Sequence, residues 1–278
     1  MLEHVEFACM LCFCLALALT PERAWARLVK RARARRAERK ERRRGPWIQT
    51  RSGARWYPYT CRPEDVQLED LGACAYVLRW GGHAGTVTVA EHQYRVAKLL
   101  AARGESPAVQ LLGLLHDAHE VYPPGDVLAP VFWGRGLVGR QVAWGMRWMS
   151  RRAERAVRDR MHLPHEFPAA VKHADLALLS TEAHCRLPGG PRDWGSNLPP
   201  PNHVCEAWDS EYAEFRWWSL VRTLSQQVAD EMREQRCSDA AAGLDSSHGW
   251  DTITALLELA VVADRQIARC APLRRGAA

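Results

Sequence analysis

Residues 111–130 read LLGLLHDAHEVYPPGDVLAP, an apolar helix face that runs directly into His116, Asp117, His119, Glu120 and Asp126. Charged groups are not left buried without partners, so a core-forming segment that carries them has to deliver them to a site. On an α-helix, residues three and four apart share a face. This predicts that His116, Asp117 and Glu120 project into one pocket while Leu111, Leu112 and Leu115 anchor the helix. The His-Asp pair is weak evidence by itself, because the 11 His and the Asp content of the 278 residues give roughly one-half of such a pair by chance. Its meaning depends on what else lies at the right distance.

Two further segments supply candidates. Ser106-Pro107, an N-cap followed by an N1 proline, opens the helix that delivers His116. On the preceding predicted helix, TVAEHQYRVAKLLAAR with Gly104 as its stop, lies His92. Later in the chain VKHADLALL, within a predicted helix over 168–186, carries Asp175. Apolar neighbours point both inward. Two imidazoles and two carboxylates on three helices form a mixed N/O set for one divalent cation with open coordination positions. Mn, Co, Fe, Ni, Zn and Mg remain open, since no thiolate singles out zinc.

The order AEH, HDAHE, VKHAD, together with WIQTRSGARWYPYTCRPEDVQLEDL and YVLRWGGH, resembles the HD-domain metal-dependent phosphohydrolases. It is most similar to their branch of 5′-deoxynucleotidases and phage-type deoxynucleotide phosphohydrolases. The resemblance covers roughly residues 47–186, about half the chain. It implies an all-α helical bundle with a short N-terminal hairpin-like segment and helical extensions at both ends. By position it implies His92, His116, Asp117 and Asp175 as metal ligands and Glu120 as the catalytic carboxylate. Asp126 matches the second catalytic acid, and Arg79 with Trp80 the phosphate- and sugar- or base-contacting pair. Lys172 is a further candidate substrate contact. The sequence departs from the family pattern in YPPGD, which has one residue more than usual, and in Phe132, where relatives often place a lysine.

The chemistry follows from charge. A phosphoester repels hydroxide, so its hydrolysis at neutral pH needs a cation that binds a phosphate oxygen and lowers the pKa of a water. The expected function is removal of phosphate from deoxynucleotides, as a 5′-monophosphatase or a triphosphohydrolase. The alternative is a non-catalytic nucleotide-sensing or scaffold module.

The rest of the chain bounds this reading. Residues 1–46 hold 12 Lys/Arg against 5 Asp/Glu, or +7 of a net +6, so the remainder carries −1. The basic balance therefore belongs to an appendage and says little about partners of the main body. Within it, residues 7–19 form an apolar run shorter than the ~20 residues of a membrane-spanning helix, and residues 29–44 are a basic run expected as a solvated helix or tail. Contact of that run with nucleic acid or an anionic membrane is weakly supported, and a homo-oligomer is left open. Nine scattered Cys form no disulfide framework, which fits a reducing, cytoplasmic setting. Gly45-Pro46 sets a boundary, followed by a short hairpin around Ser52-Gly53 and then predicted helices over 63–80, 137–163 and from Asp209 to Arg233. Residues 187–201 are expected as a loop. Residues 47–233 form the expected phosphohydrolase domain, and 234–278 a linker with one further helix.

Overall fold

The computed structural model describes residues 22–188, 207–242 and 249–270. The chain is all-α. In order it forms α1 (Glu22–Arg42), strands β1 (Ile48–Gln49) and β2 (Arg55–Trp56), three 3₁₀ turns, α2 (Val89–Ala102) and α3 (Pro107–Leu115). Two more 3₁₀ turns precede α4 (Gly136–Arg160), α5 (Ala169–Arg186), α6 (Ser210–Ala241) and α7 (Trp250–Cys270). The chain divides after Pro46 into two compact units.

In the second unit, side-chain caps fix where the main helices begin. Thr88 accepts the Glu91 amide at the start of α2, Ser106 accepts the Val109 amide ahead of Pro107, and Asp209 accepts the Tyr212 amide ahead of α6. Each satisfies a backbone donor that the first helical turn leaves without a partner. The hairpin pairs Ile48 with Trp56 and Gln49 with Arg55, and Gly53 turns it at φ 85. Ser52 then ties it to the body through its amide and hydroxyl on Asp70.

Three contacts bring the candidate ligands together. Val96 and Leu100 of α2 interlock with Val171, Ala174 and Leu178 of α5 in one apolar cluster. Gly113 of α3 faces Val96 and Leu100, so at that point α3 approaches α2 too closely for a side chain, with Val109 and Leu112 packed against the same cluster. The larger core holds Trp217 and Trp218 of α6, both fully buried, with Trp56 stacked on Tyr122 at 3.8 Å between ring centroids. At roughly 25 cal/mol per Å² and 150–250 Å² per ring, each buried indole contributes about 4 to 6 kcal/mol before entropy is counted. These tryptophans are packing.

The structure corrects three sequence expectations. Residues 63–80 form 3₁₀ turns over Pro63–Asp65, Leu68–Tyr76 and Arg79–Gly82, broken by extended backbone at Val66, Gln67 and Val77, and not one α-helix. The buried Leu68, Leu71 and Cys74 recur every three residues, the period at which a 3₁₀ helix stacks its side chains. Second, the α-helix ends at Leu115, so the HD step lies beyond its last turn and Glu120 sits on a separate 3₁₀ turn, Ala118–Val121. Third, α6 runs on to Ala241, past the boundary expected at 233. The helix after it docks on the body. Ile253, Leu256, Leu259 and Val262 of α7 share one core with Trp217, Val221 and Leu224.

The first unit is described by α1, whose basic run is a solvated helix. Its Arg42–Glu38 pair, 2.7 Å long, is exposed on both sides, and such a pair contributes little. No helix among the described residues is long and apolar enough to cross a membrane. The apolar run at 7–19 and residues 189–201 of the expected loop lie outside the described residues. Because the core of 47–270 is built from its own side chains, a chain beginning at Trp47 is expected to stay folded and to match the full chain in any metal affinity within about twofold. Melting and metal titration of the truncated protein check this, and precipitation or metal loss would overturn it.

Candidate metal centre

His92 enters from the first turn of α2 and is completely buried. His116 caps α3. Its Nδ1 lies 2.8 Å from the Gly113 carbonyl, one of the last-turn acceptors that a helix end leaves unsatisfied, and this contact turns Nε2 away from the helix. The two rings lie 5.4 Å apart. Nitrogen atoms of His92 and His116 and an oxygen of Asp117 all lie within 4.8 Å of one another. Asp175 on α5 closes the group, with Oδ1 3.3 Å from His92 Nε2 and 3.9 Å from His116 Nε2. Asp117 Oδ2 is 2.9 Å from His116 Nε2. Ligand atoms about 2.1 Å from a tetrahedral ion stand roughly 3.4 Å apart, which these separations bracket.

A direct test of fit lies in the unsatisfied atoms. The Nε2 atoms of His92 and His116 are both buried, and although carboxylate oxygens stand 3.3 and 2.9 Å away, neither contact has the geometry of a hydrogen bond. Two orphaned imidazole nitrogens facing carboxylates suit a cation better than a finished hydrogen-bond network. These residues could hold one divalent ion, whose identity the donor set leaves open.

Electrostatics agree with that reading. Burial and the Arg79 charge lower the His92 pKa, but Glu182 and Asp175 outweigh them and hold it at about 9. Burial raises the Asp117 and Asp175 carboxyls, yet the histidines beside them bring both well below the usual range. Burial, with repulsion from Asp117 and Asp126, pushes Glu120 well up, and its Oε2 is buried without a hydrogen-bond partner. Asp126 is also raised, chiefly by burial.

The substrate-side candidates converge on the same place. Arg79 is buried, with Nε 2.9 Å from Glu182 and Nη1 3.9 Å from Asp117. Trp80 follows in the left-handed region at φ 62, ψ 21, a conformation that costs a non-glycine residue about 1–3 kcal/mol. Two hydrogen bonds hold it there: its amide donates to Asp126 Oδ2 at 3.2 Å, and its indole Nε1 donates to Glu182 Oε2 at 3.2 Å. The extra proline of YPPGD is accommodated in a turn closed by the Gly125 amide on the Tyr122 carbonyl, with Gly125 at φ 79, and Asp126 still reaches Trp80. Lys172 lies at the rim, largely exposed, with Nζ 2.9 Å from Asp175 Oδ2.

Sequence reasoning missed Glu182. It is buried on α5, and its carboxylate meets His92, Arg79 and Trp80 at once. The available signal was its position seven residues, or two helical turns, after Asp175, hence on the same face.

No protein-family model matches the chain. Over 138 residues, 49% of its length, it is 26% identical to 70% of an uncharacterized protein of Escherichia coli (strain K12), YfdR.

A melting experiment tests the centre. Without metal, the raised His92 pKa gives stability that is fully present below its ordinary value near 6.5 and is lost as pH rises through about 9. A cation competes with that proton, so uptake should strengthen over the same window. Mn, Co or Zn at about a hundred times its Kd is expected to raise the melting temperature by about 5–10 °C. At one fixed metal concentration the increment should be larger near pH 8.5 than near pH 6.5. A melting temperature indifferent to all three metals at both pH values would exclude the centre.

Proposed function

We propose that this chain is a metal-dependent phosphohydrolase of the HD type acting on deoxynucleotides, as a 5′-monophosphatase or a triphosphohydrolase. One observation carries the reading. The orphaned Nε2 atoms of His92 and His116 face Asp117 and Asp175, and the buried guanidinium of Arg79 stands within 3.9 Å of one of those carboxylates. A cation site and a fixed cationic side chain placed together suit a phosphate, which needs charge neutralised at more than one oxygen.

His92, His116, Asp117 and Asp175 would hold the ion. A divalent cation there would polarise a phosphate oxygen, lower the pKa of a water and offset the repulsion among the carboxylates. Arg79 neutralises and orients the phosphate. Glu120, whose Oε2 has no other partner, takes the proton of the attacking water. Asp126, held by the Trp80 amide and with its pKa raised chiefly by burial, gives a proton to the leaving oxygen. Trp80, beside Arg79, would disfavour a 2′-hydroxyl sterically, which would give preference for deoxynucleotides.

The deciding experiment measures phosphate, pyrophosphate and triphosphate release from deoxynucleoside and ribonucleoside mono- and triphosphates with Mn, Co, Zn or Mg. Metal-dependent release favouring deoxynucleotides is expected. Nucleotide binding without release of any of the three would replace the enzyme by a sensing module.

A further inference from the structure

Glu182 lies outside every motif that marks the site, yet three donors from two other parts of the chain end on its carboxylate. His92 Nδ1 lies 2.7 Å from Oε1, while Arg79 Nε at 2.9 Å and Trp80 Nε1 at 3.2 Å share Oε2. Arg79 and Trp80 have only N–H to offer at these atoms. His92 Nδ1 must also carry its hydrogen if the Nε2 lone pair is to face a cation, because only one nitrogen of a neutral imidazole is protonated. The carboxylate is therefore surrounded by donors, with one oxygen turned to the metal side and the other to the substrate side.

A buried ion pair with Arg79 alone would account for one of these contacts. It would not account for Trp80 being held in a left-handed conformation by the same oxygen, nor for the second oxygen on a candidate ligand's back nitrogen. Arg79 Nε and Trp80 Nε1 can only donate, so Glu182 Oε2 accepts from both, while Oε1 faces the Nδ1 of His92.

We propose that Glu182 is the positioning residue that ties the two halves of the site together. It fixes the tautomer and ring orientation of His92, and it fixes the Arg79-Trp80 pair, from one side chain on α5. This inference rests on reading His92 as a metal ligand and Arg79 as a phosphate contact. It adds that metal affinity and phosphate affinity share a determinant that touches neither ion nor substrate.

Substitution by glutamine separates the two halves, because an amide has one acceptor oxygen and its NH₂ must face donors on the other side. The full chain, Glu182→Gln and Glu182→Asp are titrated with Zn and Mn, and then with inorganic phosphate in the metal-loaded form. The His92 Nδ1 proton is followed by NMR in the zinc form. Glu182→Gln is expected to weaken at least one of the two affinities by about 10- to 100-fold, the size found for outer partners of metal ligands, and to shift or broaden the His92 proton. Glu182→Asp keeps two acceptor oxygens one methylene further back, and its losses should be smaller than those of glutamine.

Leu259→Ala, a core change on α7 outside the cluster that joins α2 to α5, controls for plain destabilisation; it should lower the melting temperature and leave both affinities unchanged. Wild-type affinities for metal and phosphate with an unmoved His92 proton, in either folded Glu182 variant, would overturn the inference alone. A wild-type chain that binds neither Zn nor Mn would overturn the metal reading and this inference with it.

Discussion

Replacing Asp117 by Ala is expected to lower metal affinity by more than about a hundredfold and to remove phosphate release with it. Outer partners of metal ligands are worth about 10- to 100-fold, and Asp117 is proposed as a ligand itself, with Oδ2 2.9 Å from His116 Nε2. The change also deprives His116 of its carboxylate neighbour and brings Arg79 one acidic partner fewer. Asp117→Asn, which keeps the shape and loses the charge, should show the same direction with less disturbance of the fold. Metal content after gel filtration and calorimetric titration are the measurements. Retention of one tightly bound ion by both variants would move the centre away from the HD step.

Glu120→Gln is expected to behave differently, with metal affinity held within a few-fold and turnover reduced by about 10²–10⁴, the range of a positioned acid or base. The reason is placement. Glu120 interacts electrostatically with Asp117, Asp126 and Asp175 but stands outside the close His92, His116, Asp117 group, and its Oε2 has no other use in the fold. Removing its charge relieves repulsion among neighbouring carboxylates, so the variant should be at least as stable as the parent. Single-turnover assays with saturating metal separate this from a binding defect. Undiminished turnover would shift the role of base to Asp126.

The parts legible in the sequence are those written in local chemistry. Ser106-Pro107 marks a helix start because a hydroxyl acceptor and a ring without N–H suit the first turn, and the helix begins there. His92, His116 and Asp117 stand out by position within apolar helical patterns, and the fold brings them within one small volume. The end of α3 was not legible, because it depends on a histidine ring meeting its own helix's carbonyl at Gly113. The string of 3₁₀ turns was not legible because Pro63, Glu64 and Asp65 suit the first turn of either helix type, and the extended residues at 66–67 and 77 decide between them. Beyond Arg233 the polar residues EQRCSDAA suggested a linker, yet Gln235 bonds Asp239 one turn on and Arg236 is buried under the Trp250 ring. Glu182 was missed for a different reason: its position two turns after Asp175 marks the face it shares, but its partners lie 90 to 103 residues away and nothing local announces them.

That separation bears on the order in which the molecule can be made. During synthesis Arg79 and Trp80 emerge about a hundred residues before the carboxylate that receives them, and at synthesis rates of about 5–20 residues per second the gap lasts roughly 5–20 s. Until α5 arrives, α2 and α3 can pair, but Arg79 lacks Glu182, its close partner at 2.9 Å, and is left with Asp117 at 3.9 Å. Closing the core early around the site would therefore bury the guanidinium with its charge less fully compensated. Docking of α5 is the step that both finishes the apolar cluster with Val96 and Leu100 and lets Arg79 leave water. A ribosome-bound chain halted short of residue 182 should remain open to protease in this region, and one extended until α5 has cleared the exit tunnel should become resistant.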